Sequence, residues 1–240
     1  MKWFTAAFTR EGPGVDRNAP PKTGFALLAD VVARNWWELV QLNLLTLLFS
    51  LPVVTLPAAL VAAARICGLM LADTPVYLGR DFLEAFRSRF RAATLLGLGA
   101  TAAMVLPAWS AAIFLEAARD NILLALPFTV SASVALFAAI ASAYALVLVA
   151  RGERPVLKRA LLGALAKPLP VLAALGVVGL LWALHALFYP ASIFMPVLIN
   201  FSFGTLAVIF GVHEAAVRLL AFQSATDGAT YAGGSAKRAQ

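Results

Sequence analysis

Between Lys167 and Glu214 the chain runs for forty-six residues without an aspartate, glutamate, lysine or arginine. A bilayer core takes roughly 20 apolar residues per helix, so this run is about two spans long. Tyr189-Pro190-Ala191-Ser192 near its middle reads as a turn. The pattern predicts a helical hairpin over about 168–189 and 194–217. A second charge-free stretch, Leu39 to Ala64, is interrupted by Leu51-Pro52-Val53-Val54-Thr55-Leu56-Pro57. Pro52 and Pro57 remove two backbone donors and disfavour helix at the residue before each. Helices over about 36–52 and 57–72 are therefore expected on either side of a tight turn.

The remaining segments are patterned differently. In 24–37, Phe25, Leu28, Val31 and Val32 share one helical face, with Asp30 and Arg34 on the other. Trp36 and Trp37 then mark a membrane interface, which suits an indole's apolar ring and polar N–H. After Asp81, Phe82, Phe86 and Phe90 form an i, i+4, i+8 stripe flanked by Arg87, Arg89 and Arg91. That pattern predicts a helix lying in the membrane surface, followed by helices over about 92–115 and 122–150 and a basic loop over 151–167. Residues 1–23 read as an irregular tail and 223–240 as a disordered one, leaving 24–222 as a single domain. The expected fold is an all-α polytopic transmembrane bundle of about six membrane-embedded helices with short interfacial amphipathic helices. Five is the alternative, if the 57–72 helix only lies on the surface.

Composition agrees with membrane residence. Hydrophobic residues make up 62% of the 240 and charged residues 13%, against roughly 25% charged in soluble domains. Mean hydropathy is +0.86. The opening Met1-Lys2-Trp3-Phe4 does not read as a signal peptide, so the hydrophobic helices are expected to direct insertion. Lysine plus arginine outnumber aspartate plus glutamate 5 to 3 in residues 1–35, 5 to 3 in 65–91, 5 to 1 in 151–167 and 3 to 2 from 214 onward. Only 116–120 is acidic, at 1 to 2. The positive segments and both termini are therefore expected on the cytoplasmic side of a bacterial inner membrane. The net charge of +7 is read as that asymmetry, with anionic lipid headgroups as the partner and no nucleic acid.

Chemistry is sparse. No Walker-type phosphate loop or Gly-x-Gly-x-x-Gly occurs, and the single cysteine, Cys67, reads as a packed apolar residue. His185 and His213 lack zinc spacing; His213-Glu214 reads as a capped helix end rather than a proton or metal site. No cofactor and no enzymatic activity are expected. Asn43, Thr46, Tyr144, His185, Asn200, Ser202 and Arg65 are the polar residues inside apolar runs. Such residues mark functional positions by default. The acids sit at segment ends, which argues against a self-contained proton-coupled carrier.

One stretch carries more than composition. Asn43-Leu44-Leu45-Thr46-Leu47-Leu48-Phe49-Ser50-Leu51-Pro52-Val53-Val54-Thr55, followed by small residues and Asp81-Phe82-Leu83-Glu84-Ala85-Phe86-Arg87, resembles the signature of the YesL-like bacterial membrane-protein family, domain of unknown function 624. The resemblance covers roughly 36–100 in order and spacing. Many family members have Trp where this chain has Thr46 and Gly where it has Pro57. The resemblance implies genes placed beside carbohydrate ABC importers, and so an accessory or assembly role touching permease subunits and, indirectly, carbohydrate. It supplies no catalytic residues. A small autonomous permease or channel is the alternative.

Overall fold

The computed structural model describes residues 22–215, all helical apart from turns and links. The helices are α1 (Gly24–Arg34), α2 (Trp36–Ser50), α3 (Leu56–Leu71), α4 (Leu78–Asp120), α5 (Ala125–Arg151), α6 (Val156–Ala166) and α7 (Pro168–Leu187). A final helix, α8 (Pro196–Ala215), opens with a π-helical segment, Pro196–Asn200. The expected tails, 1–23 save for Lys22 and Thr23, and 223–240, lie outside the described residues, as does the expected end of the last helix at 217.

Among the described residues five helical stretches are long and apolar enough to cross a membrane: Val53–Leu71, Leu78–Asp120, Ile122–Arg151, Pro168–Leu187 and Pro196–Ala215. The short member of the first hairpin is α2, not the 57–72 helix. Its 15 residues reach only about 22 Å at 1.5 Å per residue, short of a ~30 Å hydrocarbon core. The 57–72 helix is extended instead by a 3₁₀ turn, Val53–Thr55, and Pro57 falls in its first turn, where a missing N–H costs nothing. The hairpin still closes. Arg34 Nη1 bonds Asp73 Oδ1 at 2.5 Å across its open end, and Arg34 Nε holds Asp30 at 2.9 Å. Lys22 also bonds Asp30. That bond, with the charges of Lys22 and Arg34, holds the Asp30 carboxyl below its ordinary range.

The centre of the bundle is α3. Ala58, Ala59, Ala62, Ala63, Ala64, Ile66 and Cys67 are all buried, and α2, α4 and α5 pack around it. Small residues let helix backbones approach where lipid supplies no hydrophobic drive to associate. The approach is closest at Gly97 of α4, where a Cβ would fall 2.2 Å from Pro57 Cβ. Gly211 of α8 plays the same part against α7, since a Cβ there would sit 2.8 Å from the Pro170 carbonyl oxygen.

Two expectations are corrected. The surface helix at 80–91 and the span after it form one 43-residue helix, α4, because no proline or glycine separates them. At roughly 64 Å it is about twice as long as the hydrocarbon core is thick. Its aromatic stripe does not face lipid: Phe82 is 1% exposed, and the Phe82 and Phe86 rings lie 5.4 and 4.9 Å from that of Phe49 in α2. Phe90 extends the stack from Phe86 at 5.5 Å. The stripe is therefore internal packing. The basic loop at 151–167 contains α6, which buries Ala160 and Ala164 and leaves Leu157, Leu161, Leu162 and Leu165 exposed.

The α3–α4 contact generates a paired expectation. Gly97→Ala must push Pro57 aside and should lower stability by about 1–3 kcal/mol, the usual cost of overpacking. Gly99→Ala, whose Cβ meets nothing within 4 Å, should be neutral or stabilising by up to ~1 kcal/mol through helix propensity. Thermal unfolding of the two variants in detergent measures the difference, and equal stability would contradict the close approach.

Candidate functional site

Pro196 carries no N–H, and the first turn of α8 widens into a π-helix. A widened turn leaves backbone groups that must be satisfied inside the protein, because hydrocarbon offers no partners. Asn43 of α2 fills the gap. Its Nδ2 donates to the carbonyls of Pro196 and Val197 at 2.9 and 2.6 Å. Its Oδ1 accepts from the N–H groups of Phe201 and Ser202 at 2.9 and 3.0 Å. A side-chain amide has two donors and two acceptor lone pairs, so all four capacities are used. Asn43 is 0% exposed. Its amide acts as an extra peptide group inserted into the ladder of α8, and it fixes α2 against that helix. Trp36 against Phe203, with ring centroids 5.7 Å apart, adds to the same contact.

The other signature residues shape the turn. Thr55 Oγ1 lies 2.5 Å from the Phe49 carbonyl oxygen and 2.6 Å from that of Pro52. It ties the end of α2 to the 3₁₀ turn, while Val53 and Val54 point outward. Asp81 Oδ2 accepts from the Tyr77 N–H at 2.9 Å and Oδ1 meets Arg80 at 3.1 Å, fastening the start of α4. Arg87 is exposed.

The expected polar residues do not converge on one path. Thr46 donates to Leu42 O at 2.7 Å and Ser202 to Ile199 O at 3.2 Å, each within its own helix; Ser142, outside that set, donates likewise to Ala138 O at 2.7 Å. Tyr144 donates to Lys167 O at 2.9 Å, at the start of α7. His185, near the other end of α7, clasps the turn into α8: Nδ1 lies 3.0 Å from Ser192 O, and Ser192 Oγ donates to His185 O at 2.7 Å. The 18 residues from Lys167 to His185 separate these two bonds by about 27 Å of helix. Asn200 differs. It is 2% exposed, and neither its Oδ1 nor its Nδ2 has a partner among the described residues. Cys67 is buried with Sγ 3.9 Å from Ser202 O, a packed residue as expected.

Arg65 sits differently from the polar residues of the core. The C-terminal parts of α3, α5 and α8 meet around a cavity of about 220 Å³ lined by Arg65, Arg151 and His213 with Ala64, Gly68 and Ile209. Arg89, beyond its sequence role as one arginine in a run, donates to the Val149 carbonyl. Its guanidinium also lies against Gly152, where φ is +78° and a Cβ would meet Nη1 at 2.9 Å. A guanidinium on the last carbonyls of α5 complements the negative end of that helix. No local sequence pattern marked this contact. A second, larger cavity of about 390 Å³ is almost wholly apolar and runs past Pro57, Gly97, Met104 and Leu146. Among the described residues no three histidine, cysteine, aspartate or glutamate side chains come together to hold a metal ion.

Replacing Asn43 with Ala removes four hydrogen bonds to the backbone of α8. At ~0.5–1.5 kcal/mol net per bond, partly relieved as the π-segment's own backbone bonds tighten, roughly 2–4 kcal/mol of stability should be lost. Asn43→Asp keeps the acceptors but loses both donors and adds a charge, so it should be at least as damaging. Chemical unfolding in mixed micelles reads both, and a loss below about 0.5 kcal/mol in either would contradict the four-bond role.

No curated protein and no solved structure matches the chain. Residues 39–110 match the model of the family described as "Protein of unknown function, DUF624", a segment that holds Asn43, the proline turn, all of α3 and the Phe82–Phe90 stripe. The resemblance read from Asn43 to Thr55 holds over that segment, which is similar to the DUF624 family model.

Proposed function

We propose that the protein is a non-enzymatic integral membrane subunit that assists a carbohydrate ABC transporter. In this reading both termini, the 72–77 link and the 152–167 segment face the cytoplasm of a bacterial cell, against anionic lipid. The observation that carries it is the fate of the polar side chains in the bundle. Asn43, Thr46, Ser142, Tyr144 and His185 are all bonded to backbone, and Tyr144 and His185 stand at opposite ends of α7. A carrier needs polar groups free to meet its solute along a path; here they are taken up by backbone groups of their own or a neighbouring segment. The transport context itself rests on the family resemblance.

The outer surface suits an assembly role. Leu95, Leu98, Leu106, Trp109 and Ile113 of α4 and Leu126, Val130 and Val134 of α5 are all exposed. Such surfaces are covered by lipid or by the helices of another membrane protein. The second reading, an autonomous permease, rests on Asn200, whose buried amide has no partner among the described residues.

Two experiments separate the readings. Tagged protein drawn from native membranes in mild detergent is expected to bring down permease subunits of a sugar importer. Proteoliposomes holding the protein alone are expected to show no sugar flux above empty vesicles. Recovery only as a lone species together with flux in liposomes would overturn the accessory reading in favour of the permease.

A further inference from the structure

The cavity at the ends of α3, α5 and α8 has a charge balance that its own chain leaves open. Arg65 makes no hydrogen bond or ion pair among the described residues, although it lies six positions before the end of α3. The acids nearby are committed elsewhere. Asp81 is held by Tyr77 N–H and Arg80, and feels the Arg65 charge only as the smallest of its attractions. Glu153 is bonded to Arg159 at 2.6 Å and reaches Arg151 only at 3.9 Å. Glu214 follows His213 in sequence but does not line the cavity. Arg89 stands behind the site, turned onto the Val149 carbonyl. Two guanidinium groups and an imidazole from three helices thus share one recess whose other walls, such as Ala64, Val147 and Ile209, are apolar.

We propose that this recess binds a phosphate-bearing anion, with Arg65 and Arg151 as its charged ligands and His213 as a third donor. A guanidinium presents its N–H groups in a planar fork that matches two phosphate oxygens, which gives both charge and geometry. Arg65 and Arg151 are exposed at the mouth of the recess, so an incoming phosphate can reach them, and the apolar wall beside them weakens the competition from water. The three side chains come from separate helices, so an anion bound between them ties α3, α5 and α8 together. Arg87 lies outside the recess, has the same charge without a second arginine and a histidine facing the same space, and serves as the contrast. The group recognised is the phosphate, whether it belongs to a lipid headgroup or to a soluble phosphate ester. The inference depends neither on the accessory role nor on which side of the membrane the recess faces.

The test uses the full chain in nanodiscs. One arm compares phosphatidylcholine discs with discs containing phosphatidylglycerol; the other adds inorganic phosphate to phosphatidylcholine discs, with chloride at matched ionic strength. Thermal stability should rise in at least one arm for the wild type. The first arm alone identifies a lipid phosphate, and the second identifies a soluble one. Arg65→Gln and Arg151→Gln should lose most of that rise, and Arg87→Gln should keep it. A second readout needs no variant in the recess. With ¹⁵N-labelled histidine, the His213 ring resonances should move on addition of the effective phosphate source, while those of His185, at the far end of α7, stay put. His185→Asn assigns the two signals. No rise in either arm, an equal loss in Arg87→Gln, or unmoved His213 resonances would each overturn the proposal.

Discussion

A helix interrupted within hydrocarbon must have every freed backbone group bonded by protein, and in this molecule one side chain does that. The Asn43 amide stands between the carbonyls of Pro196 and Val197 and the N–H groups of Phe201 and Ser202, some 150 residues away in sequence. The rest follows from that placement. It lets α2 be too short to span, since its position is set by α8 rather than by membrane thickness. It also lets α8 begin with a proline and a π-turn without leaving polar backbone in an apolar setting.

Around that clamp the bundle combines close backbone approach at α3 with the internal stack of Phe49, Phe82, Phe86 and Phe90. The alanines of α3 and the glycines at 97 and 211 bring backbones together, and many bulky residues of α4 and α5, such as Leu95, Trp109 and Leu126, lie outside. Large side chains are buried too, among them Leu39, Leu42 and Leu206, but many more leucines lie outside than a soluble bundle would leave there. This follows from lipid tails being as apolar as leucine, so that packing and hydrogen bonds, not exclusion from water, associate the helices. The polar core groups consequently serve as structural ties, and the charged groups gather where α3, α5 and α8 end.

The sequence disclosed both hairpins, the proline turn and the all-helical bundle, because absent charge and paired prolines are local signals. It marked Asn43 as important through its family signature but gave no hint of what Asn43 bonds, since a contact across 150 residues leaves no spacing to read. The Phe82–Phe86–Phe90 stripe was legible as a face and misread as to its neighbour: the same periodicity results whether the face meets lipid or the ring of Phe49. Helix α6 was obscured by its charges, although Val156, Ala160 and Ala164 recur at helical spacing. The cavity at Arg65, Arg151 and His213 was out of reach, because only the packing of three separate helices brings these residues together.

The insertion of Asn43 into the backbone of α8 is tested most directly by amide hydrogen exchange at Phe201 and Ser202, in the wild type and in Asn43→Leu, with the amides of Val208 and Ile209 as internal reference. Leucine keeps the approximate shape while removing both donors and both acceptors. The amides of Phe201 and Ser202 are expected to exchange at least about tenfold faster in the variant, equivalent to ~1.4 kcal/mol of lost protection, while those of Val208 and Ile209 hold their rates. Unchanged protection at Phe201 and Ser202 would mean that α8 satisfies its own break and that Asn43 does not hold it.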